Sequence, residues 1–247
     1  MIEGFTRIAR GGKTALVRGE WAECVAAALL EGVGCIDAGL GGRGMLRVFP
    51  YPQGEGVIRR GLRGGLLRHF LHEGYLLANR PLRELTLLWE LYREGFAVPE
   101  PLGAVWERRG PWLRGAIATH RVDAVDLKAF LRAAPVDRNR EQAAQAADAD
   151  EVLRRCGRLI RDLHDRGVWH ADLQVGNVLV GESREYLIDF DKAVRYPMLS
   201  ARLRASNLER LARSFRKQRL PMRYFQVLLD GYDPASAGID RFSRKPQ

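Results

Sequence analysis

Two short apolar runs, Val178-Leu179-Val180 and Tyr186-Leu187-Ile188, flank the polar stretch Gly181-Glu182-Ser183-Arg184. β-Branched and aromatic runs separated by a glycine-led turn predict a β-hairpin. A hairpin returns the end of its second strand to the start of its first. It therefore forces Asn177, just before the first run, and Asp189, just after the second, to be neighbours. Immediately upstream, "HADLQVGN" (170–177) adds His170 and Asp172, and a helix-like apolar stripe precedes it. Turn capping accounts for one such aspartate. It does not account for an ordered set of Asp172, Asn177 and Asp189.

The set has a chemical reading. Phosphoryl transfer from ATP needs a carboxylate to take the acceptor hydroxyl's proton, and oxygen ligands to hold Mg²⁺ against the phosphates. His170, Asp172 and Asn177 follow the kinase catalytic-loop pattern H-x-D-x-x-x-x-N, with Asp172 as base and Asn177 as metal ligand. Asp189-Phe190-Asp191 stands where such enzymes carry D-F-G, so Asp189 is the second metal ligand. His170 joins the catalytic set by orienting the loop, whereas His164, on the preceding helix, reads as structural. Asp191, in the glycine's place, is a candidate further metal contact.

The first half should supply the nucleotide clamp. "GVIR" (56–59) ends a candidate strand with a cation, making Arg59 the phosphate-contacting residue, with Arg60 as the alternative and Glu84 as its partner. "GLGGRG" (39–44), containing Gly42, Arg43 and Gly44, is a candidate turn over the phosphates. Its glycines let backbone amides approach an anion.

Residues 1–60 alternate short apolar runs with glycine clusters and read as antiparallel strands. Leu82, Leu85, Leu88, Trp89 and Tyr92 repeat at helical spacing over 81–94, stopping at Gly95. Strands near 102–107 and 114–121 form a second hairpin. Beyond residue 123 helices dominate: "DLKAFLRAA", then "DEVLRRCGRLIRDLHDRG" with its stripe Val152, Leu153, Cys156, Leu159, Ile160 and Leu163, and the basic "NLERLARSFRKQ". A strand-rich first half with one main helix followed by a helical second half predicts a two-lobed α+β fold, with lobes 1–122 and 123–247.

The net charge of +10 and pI near 10.0 call for an anionic partner. Of the 40 basic residues only five are lysine, and arginine's planar fork suits phosphate and carboxylate. No recognised nucleic-acid reader accompanies the charge, so nucleic acid is not expected. No apolar run is long enough to span a bilayer, and "MIEGFTRIARGGK" lacks a signal-peptide core, which predicts a cytoplasmic protein. Cys24, Cys35 and Cys156 form no ligand spacing and suit a reducing compartment.

Taken together, these residues resemble the Kdo/heptose lipopolysaccharide kinases. The stretches "GRG" (42–44), "VIRRGLRGG" (57–65), "RPLRELTLLWELYREGFAVPEPLGA" (80–104), "GRLIRDLHDRGVWHADLQVGNVLV" (157–180), "EYLIDFDKA" (185–193) and "NLERLARSFRK" (207–217) come in that family's order. The resemblance implies a protein-kinase-like fold and ATP with Mg²⁺ as donor. Its implied acceptor is the Kdo (3-deoxy-D-manno-octulosonic acid) sugar, through its 4-hydroxyl, on a lipid A precursor. The implied location is peripheral, at the anionic cytoplasmic face of the inner membrane, with no protein partner. "FRKQRLPMRYF" (215–225), basic and aromatic, is a candidate docking segment there. Ala171 in place of the usual loop arginine, Gln174 in place of a lysine, and the lack of A-P-E favour a glycolipid over a protein acceptor. A kinase for another core sugar such as heptose, or an inactive kinase-like module binding anionic lipid, are the alternatives.

Overall fold

A computed structural model describes residues 2–38, 46–60, 79–109, 112–133 and 140–233. The chain divides into two compact units: Met1–Gly95 with Pro99–Val122, and Phe96–Val98 with Asp123–Gln247.

The first unit is built on an antiparallel sheet. Its strands are β1 (Phe5–Arg10), β2 (Lys13–Arg18), β3 (Ile36–Asp37), β4 (Leu46–Tyr51), β5 (Gly54–Arg60), β6 (Pro101–Arg109) and β7 (Trp112–His120), in the order β1-β2-β6-β7-β5-β4-β3. β4 and β5 form the hairpin legible in "VFPYPQGEGVIRR", with Val48 opposite Val57 and Leu46 opposite Arg59. Gly56 faces Phe49 across this pair, where a Cβ would lie 2.3 Å from the ring, so glycine is what lets Phe49 bury completely.

Helix α1 (Ala22–Glu31) departs from the expectation of strands throughout residues 1–60. Val25, Ala26, Ala28, Leu29 and Leu30 join a core with Ala15, Val17, Phe49, Ile58 and Leu102. The helix is apolar around most of its circumference, so it lacks the polar stripe that reveals a surface helix. Helix α2 (Arg80–Arg93) matches the predicted periodicity. Asn79 Oδ1 accepts from Leu82 N at 3.2 Å, Pro81 sits in the first turn, and Gly95 follows the end at φ 76°. Leu85, Leu88 and Leu91 are buried and worth about 1.5–3 kcal/mol each on transfer from water.

The second unit contains β8 (Ala124–Asp126), helices α3 (Leu127–Ala133) and α4 (Arg140–Asp165), β9 (Val168–Trp169), β10 (Val178–Gly181), β11 (Glu185–Leu187), β12 (Val194–Arg195), and helices α5 (Ala201–Lys217) and α6 (Met222–Tyr232). Its strands pair as β11-β10-β8 and β12-β9. The stripe Leu153, Cys156, Ile160 and Leu163 is fully buried, and α4 lies hard against α6. A Cβ at Gly157 would sit 2.1 Å from Leu228 O, and one at Gly231 2.1 Å from Arg154 O, so the two backbones approach only because both positions are glycine. The thiol of Cys156 is pushed up by burial and stays protonated.

The 215–225 stretch needs correction. Phe215, Leu220, Tyr224 and Phe225 are buried in this unit, with Phe215 and Phe225 5.7 Å apart between ring centroids. The aromatic residues belong to the core that joins α5 to α6. The exposed residues there are Arg216, Lys217, Arg219, Pro221 and Arg223, so the stretch offers a membrane mainly charge and no aromatic anchor.

Candidate active site

The hairpin is the foundation. β10 and β11 pair with Val178 opposite Leu187, and Ile188 N donates to Asn177 O at 3.1 Å. Asp189 is the next residue, and the register therefore sets it beside Asn177 along the backbone. The Asn177 amide nitrogen donates to Asp172 O at 2.9 Å. This bond commits the nitrogen, rather than the oxygen, to the loop, and it ties Asn177 to the residue whose carboxylate is the candidate base. Asp172, Asn177 and Asp189 are thus gathered into one loop cluster.

Two residues in this cluster hold left-handed backbone: Ala171 at φ 60° and Asp189 at φ 69°. Aspartate tolerates that region, whereas alanine incurs a cost of about 1 kcal/mol. Ala171 is held there between two fixed points. Behind it, His170 is pinned; ahead, Asp172 N donates back to His170 O at 2.7 Å, and the Asp172 side chain emerges 40% exposed. Strain of this kind persists where the surroundings over-determine it.

His170 is fully buried, so its assignment to the catalytic set becomes one of position. Its ring Nε2 donates to Ile188 O at 3.0 Å, and the ring tilts against Phe190 at 4.7 Å. Burial holds its pKa below the ordinary histidine value, which keeps the ring neutral. It bridges the loop that carries Asp172 to the peptide preceding Asp189.

Helix α5 supplies what sequence reasoning missed. Asn207, Arg210 and Ser214, spaced i, i+3 and i+7, occupy one face and meet the loop in order. Asn207 Oδ1 accepts from His170 N at 3.1 Å, Arg210 Nη1 lies 3.3 Å from Asp172 Oδ1, and Ser214 Oγ accepts from Val175 N at 3.1 Å. Trp169 Nε1 donates to Ser206 Oγ at 3.1 Å on the same helix. The "NLERLARS" run is a template for the loop. Three polar positions at helical spacing among apolar ones are the signal that points to it.

Asn207 also reaches deeper. Its Oδ1 accepts from His164 Nε2 at 3.1 Å, while His164 Nδ1 accepts from the Tyr232 hydroxyl at 2.9 Å. His164 and Asn207 are buried, and desolvation pushes His164 down to about 4, so the imidazole is neutral with its proton on Nε2. The chain Tyr232, His164, Asn207, His170 and Ile188 therefore runs by hydrogen bonds from α6 through α4 and α5 to the end of the hairpin.

In the first unit, Arg59 is ion-paired with Glu84, which is buried on α2, while Arg60 is exposed on the opposite side of the strand. Gly42, Arg43 and Gly44 lie outside the described residues.

The candidate metal donors, Asn177 and Asp189, both lie in the second unit. Among the described residues no group of three or more His, Cys, Asp or Glu is arranged to hold one. One carboxylate and one amide oxygen, from Asp189 and Asn177, are few and hard. Such a set fits Mg²⁺, which keeps several waters and takes phosphate oxygens, better than an ion that needs a full protein cage.

The lipopolysaccharide kinase (Kdo/WaaP) family model matches residues 38–232, which contain the whole of this cluster. The chain belongs to that family. Similar proteins include the 3-deoxy-D-manno-octulosonic acid kinases of Vibrio cholerae, 31% identical over 183 residues with 72% of each chain covered, and of Stenotrophomonas maltophilia, 36% identical over 187 residues with 73% of this chain and 70% of that one covered. The enzyme of that name from Pasteurella multocida is 33% identical over 186 residues, covering 70% of this chain and 72% of its own. Among solved structures, WaaP in complex with acyl carrier protein aligns at TM-score 0.54 and 17% identity, over 84% of this chain and 80% of that one. At that identity the likeness is one of fold, and it makes this family member a two-lobed, kinase-like α+β protein.

Proposed function

We propose that this lipopolysaccharide kinase family member transfers the γ-phosphate of ATP to a hydroxyl, the 4-hydroxyl, of the Kdo sugar on a lipid A precursor. The convergence of Asp172, Asn177 and Asp189 carries the proposal. Its support from relatives is that three family members of known name, each about a third identical, are Kdo kinases.

In this account the half-exposed Asp172 carboxylate accepts the acceptor's proton. The sugar oxygen then bonds to the γ-phosphorus as the bond to the β,γ-bridging oxygen breaks, and the proton remains on Asp172. Asp189 and the amide oxygen of Asn177 hold Mg²⁺, which when bound neutralises charge on the phosphates. His170 and the left-handed Ala171 set the direction of Asp172. Arg59 contacts the nucleotide's phosphates, and Glu84 keeps its guanidinium in place.

The surface suits the substrate. Kdo carries a carboxylate and lipid A carries phosphates, both of which arginine's fork matches. No described helix is long and apolar enough to cross a membrane, and the net charge of +10 draws the protein to an anionic inner-membrane surface instead.

Parallel incubations with ATP-Mg²⁺ and either a Kdo-terminated or a heptose-terminated lipid acceptor test the proposal. Phosphate appears on the Kdo acceptor. Transfer to heptose with none to Kdo would redirect the reading to another core sugar.

A further inference from the structure

The loop that carries the candidate base brings no cation of its own. Between His170 and Asn177 the titratable side chains are a neutral buried histidine and Asp172, and Gln174 stands two residues past the base. The cation comes from α5, where Arg210 Nη1 lies 3.3 Å from Asp172 Oδ1. Two other α5 arginines are engaged elsewhere: Arg204 holds Asp165 and His164 O, and Arg213 lies by Glu209.

The pair is poorly suited to a structural role. Its side chains are 45% and 40% exposed, and the contact is single rather than bidentate, so solvent screens most of its energy. Its neighbours on the same face, Asn207 and Ser214, already fix the loop through backbone bonds. Among the described residues, the hydrogen-bond partner shown for Arg210 is Asp172, through one of its five donors, and the side chain is 45% exposed.

The acceptor in the proposed reaction creates a specific need at this point. A hydroxyl in hydrogen-bond reach of Asp172 places the same sugar's carboxylate within a ring's width of the base, and the two like charges repel. A cation beside Asp172 that can turn toward the incoming group removes the conflict.

We propose that Arg210 is the specificity residue that binds the acceptor's sugar carboxylate with its guanidinium fork. Resting on Asp172 in the absence of acceptor, it moves onto the substrate carboxylate and leaves Asp172 able to take the hydroxyl proton. This proposal rests on the reading of the reaction given above. It assigns Arg210 to the acceptor's acid group rather than to the transferred phosphate.

Two acceptors separate these assignments: a Kdo-bearing lipid and the same lipid with the sugar carboxylate reduced to an alcohol. Wild-type protein should prefer the acid by about 10- to 100-fold in kcat/KM, the range for a charge-assisted hydrogen bond. Arg210→Gln should abolish the preference, chiefly through the acceptor's KM, and Arg210→Lys should restore part of it. If Arg210→Gln turns over too slowly to measure, calorimetric binding of the two acceptors gives the same ratio. A variant that keeps the wild-type preference, by rate or by binding, overturns the assignment and leaves the reaction standing. Wild-type protein that phosphorylates neither acceptor overturns the reaction and this assignment with it.

Discussion

Replacing Asn207 by alanine tests how the catalytic loop is held. Asn207 Oδ1 is the sole acceptor shown for two buried donors, the backbone N–H of His170 and His164 Nε2–H, each at 3.1 Å. Alanine orphans both. An unsatisfied buried donor costs about 1–3 kcal/mol, so the loss should be about 2–5 kcal/mol after some relaxation. For a chain of this size that corresponds to a fall of roughly 5–15 °C in Tm. Tyr232→Phe gives an internal scale. It removes one hydroxyl from the far side of His164 and should cost about 1–2 kcal/mol. Asn207→Asp keeps both acceptor bonds but buries a carboxylate beside His164, raising that histidine's pKa. Thermal denaturation at pH 8 ranks the three, and kcat should fall most for Asn207→Ala because His170 loses its anchor. A melting temperature within about 1 °C of wild type for Asn207→Ala, with undiminished kcat, would refute the bridge.

Other outcomes follow from the same geometry. Asp189→Asn keeps a residue that accepts left-handed backbone but removes the charge; Mg²⁺-dependent nucleotide binding should weaken by about tenfold or more, and an unchanged Mg²⁺ titration would remove Asp189 from the metal site. His164, at about 4 when folded against 6.5 ordinarily, stays neutral while the unfolded chain gains a proton. Stability is therefore intact above about pH 6.5 and declines as pH falls toward 4, by up to about 3 kcal/mol from this residue. Urea midpoints at pH 8 and pH 5 should differ less in His164→Gln than in wild type, and equal differences would contradict the shift. Sedimentation with anionic vesicles should capture the protein at low salt and release it at high salt, at about 1 kcal/mol per basic residue near the surface; salt-insensitive or absent binding would remove the membrane from the account.

The parts of this molecule legible in its sequence are those where local chemistry and long-range structure agree. The hairpin around Gly181–Arg184 follows from two β-branched runs and a turn, and its register alone brings Asp189 to Asn177. α2 carried a cap, a first-turn proline and a terminal glycine. α1 was hidden because Val25, Ala26, Ala28, Leu29 and Leu30 leave almost no polar face, although Gly32, left-handed at φ 79°, marked its end. Phe215, Tyr224 and Phe225 looked like an interfacial cluster because sequence shows aromaticity next to charge but not which side packs inward. The roles of Asn207, Arg210 and Ser214 were the least accessible. Each acts across 37 to 39 residues of chain on a loop whose position relative to α5 only the fold determines.

The central claim is that Asp172 is the base of a phosphotransfer onto a Kdo-bearing lipid. Mass spectrometry of that lipid after incubation with ATP-Mg²⁺ tests it directly, using wild type and Asp172→Ala side by side with nucleotide binding measured for both. The account predicts one added phosphate with wild type, and a rate lower by about 10² or more in the variant while ATP-Mg²⁺ still binds. An unmodified acceptor with wild type, or undiminished transfer by Asp172→Ala, would contradict it.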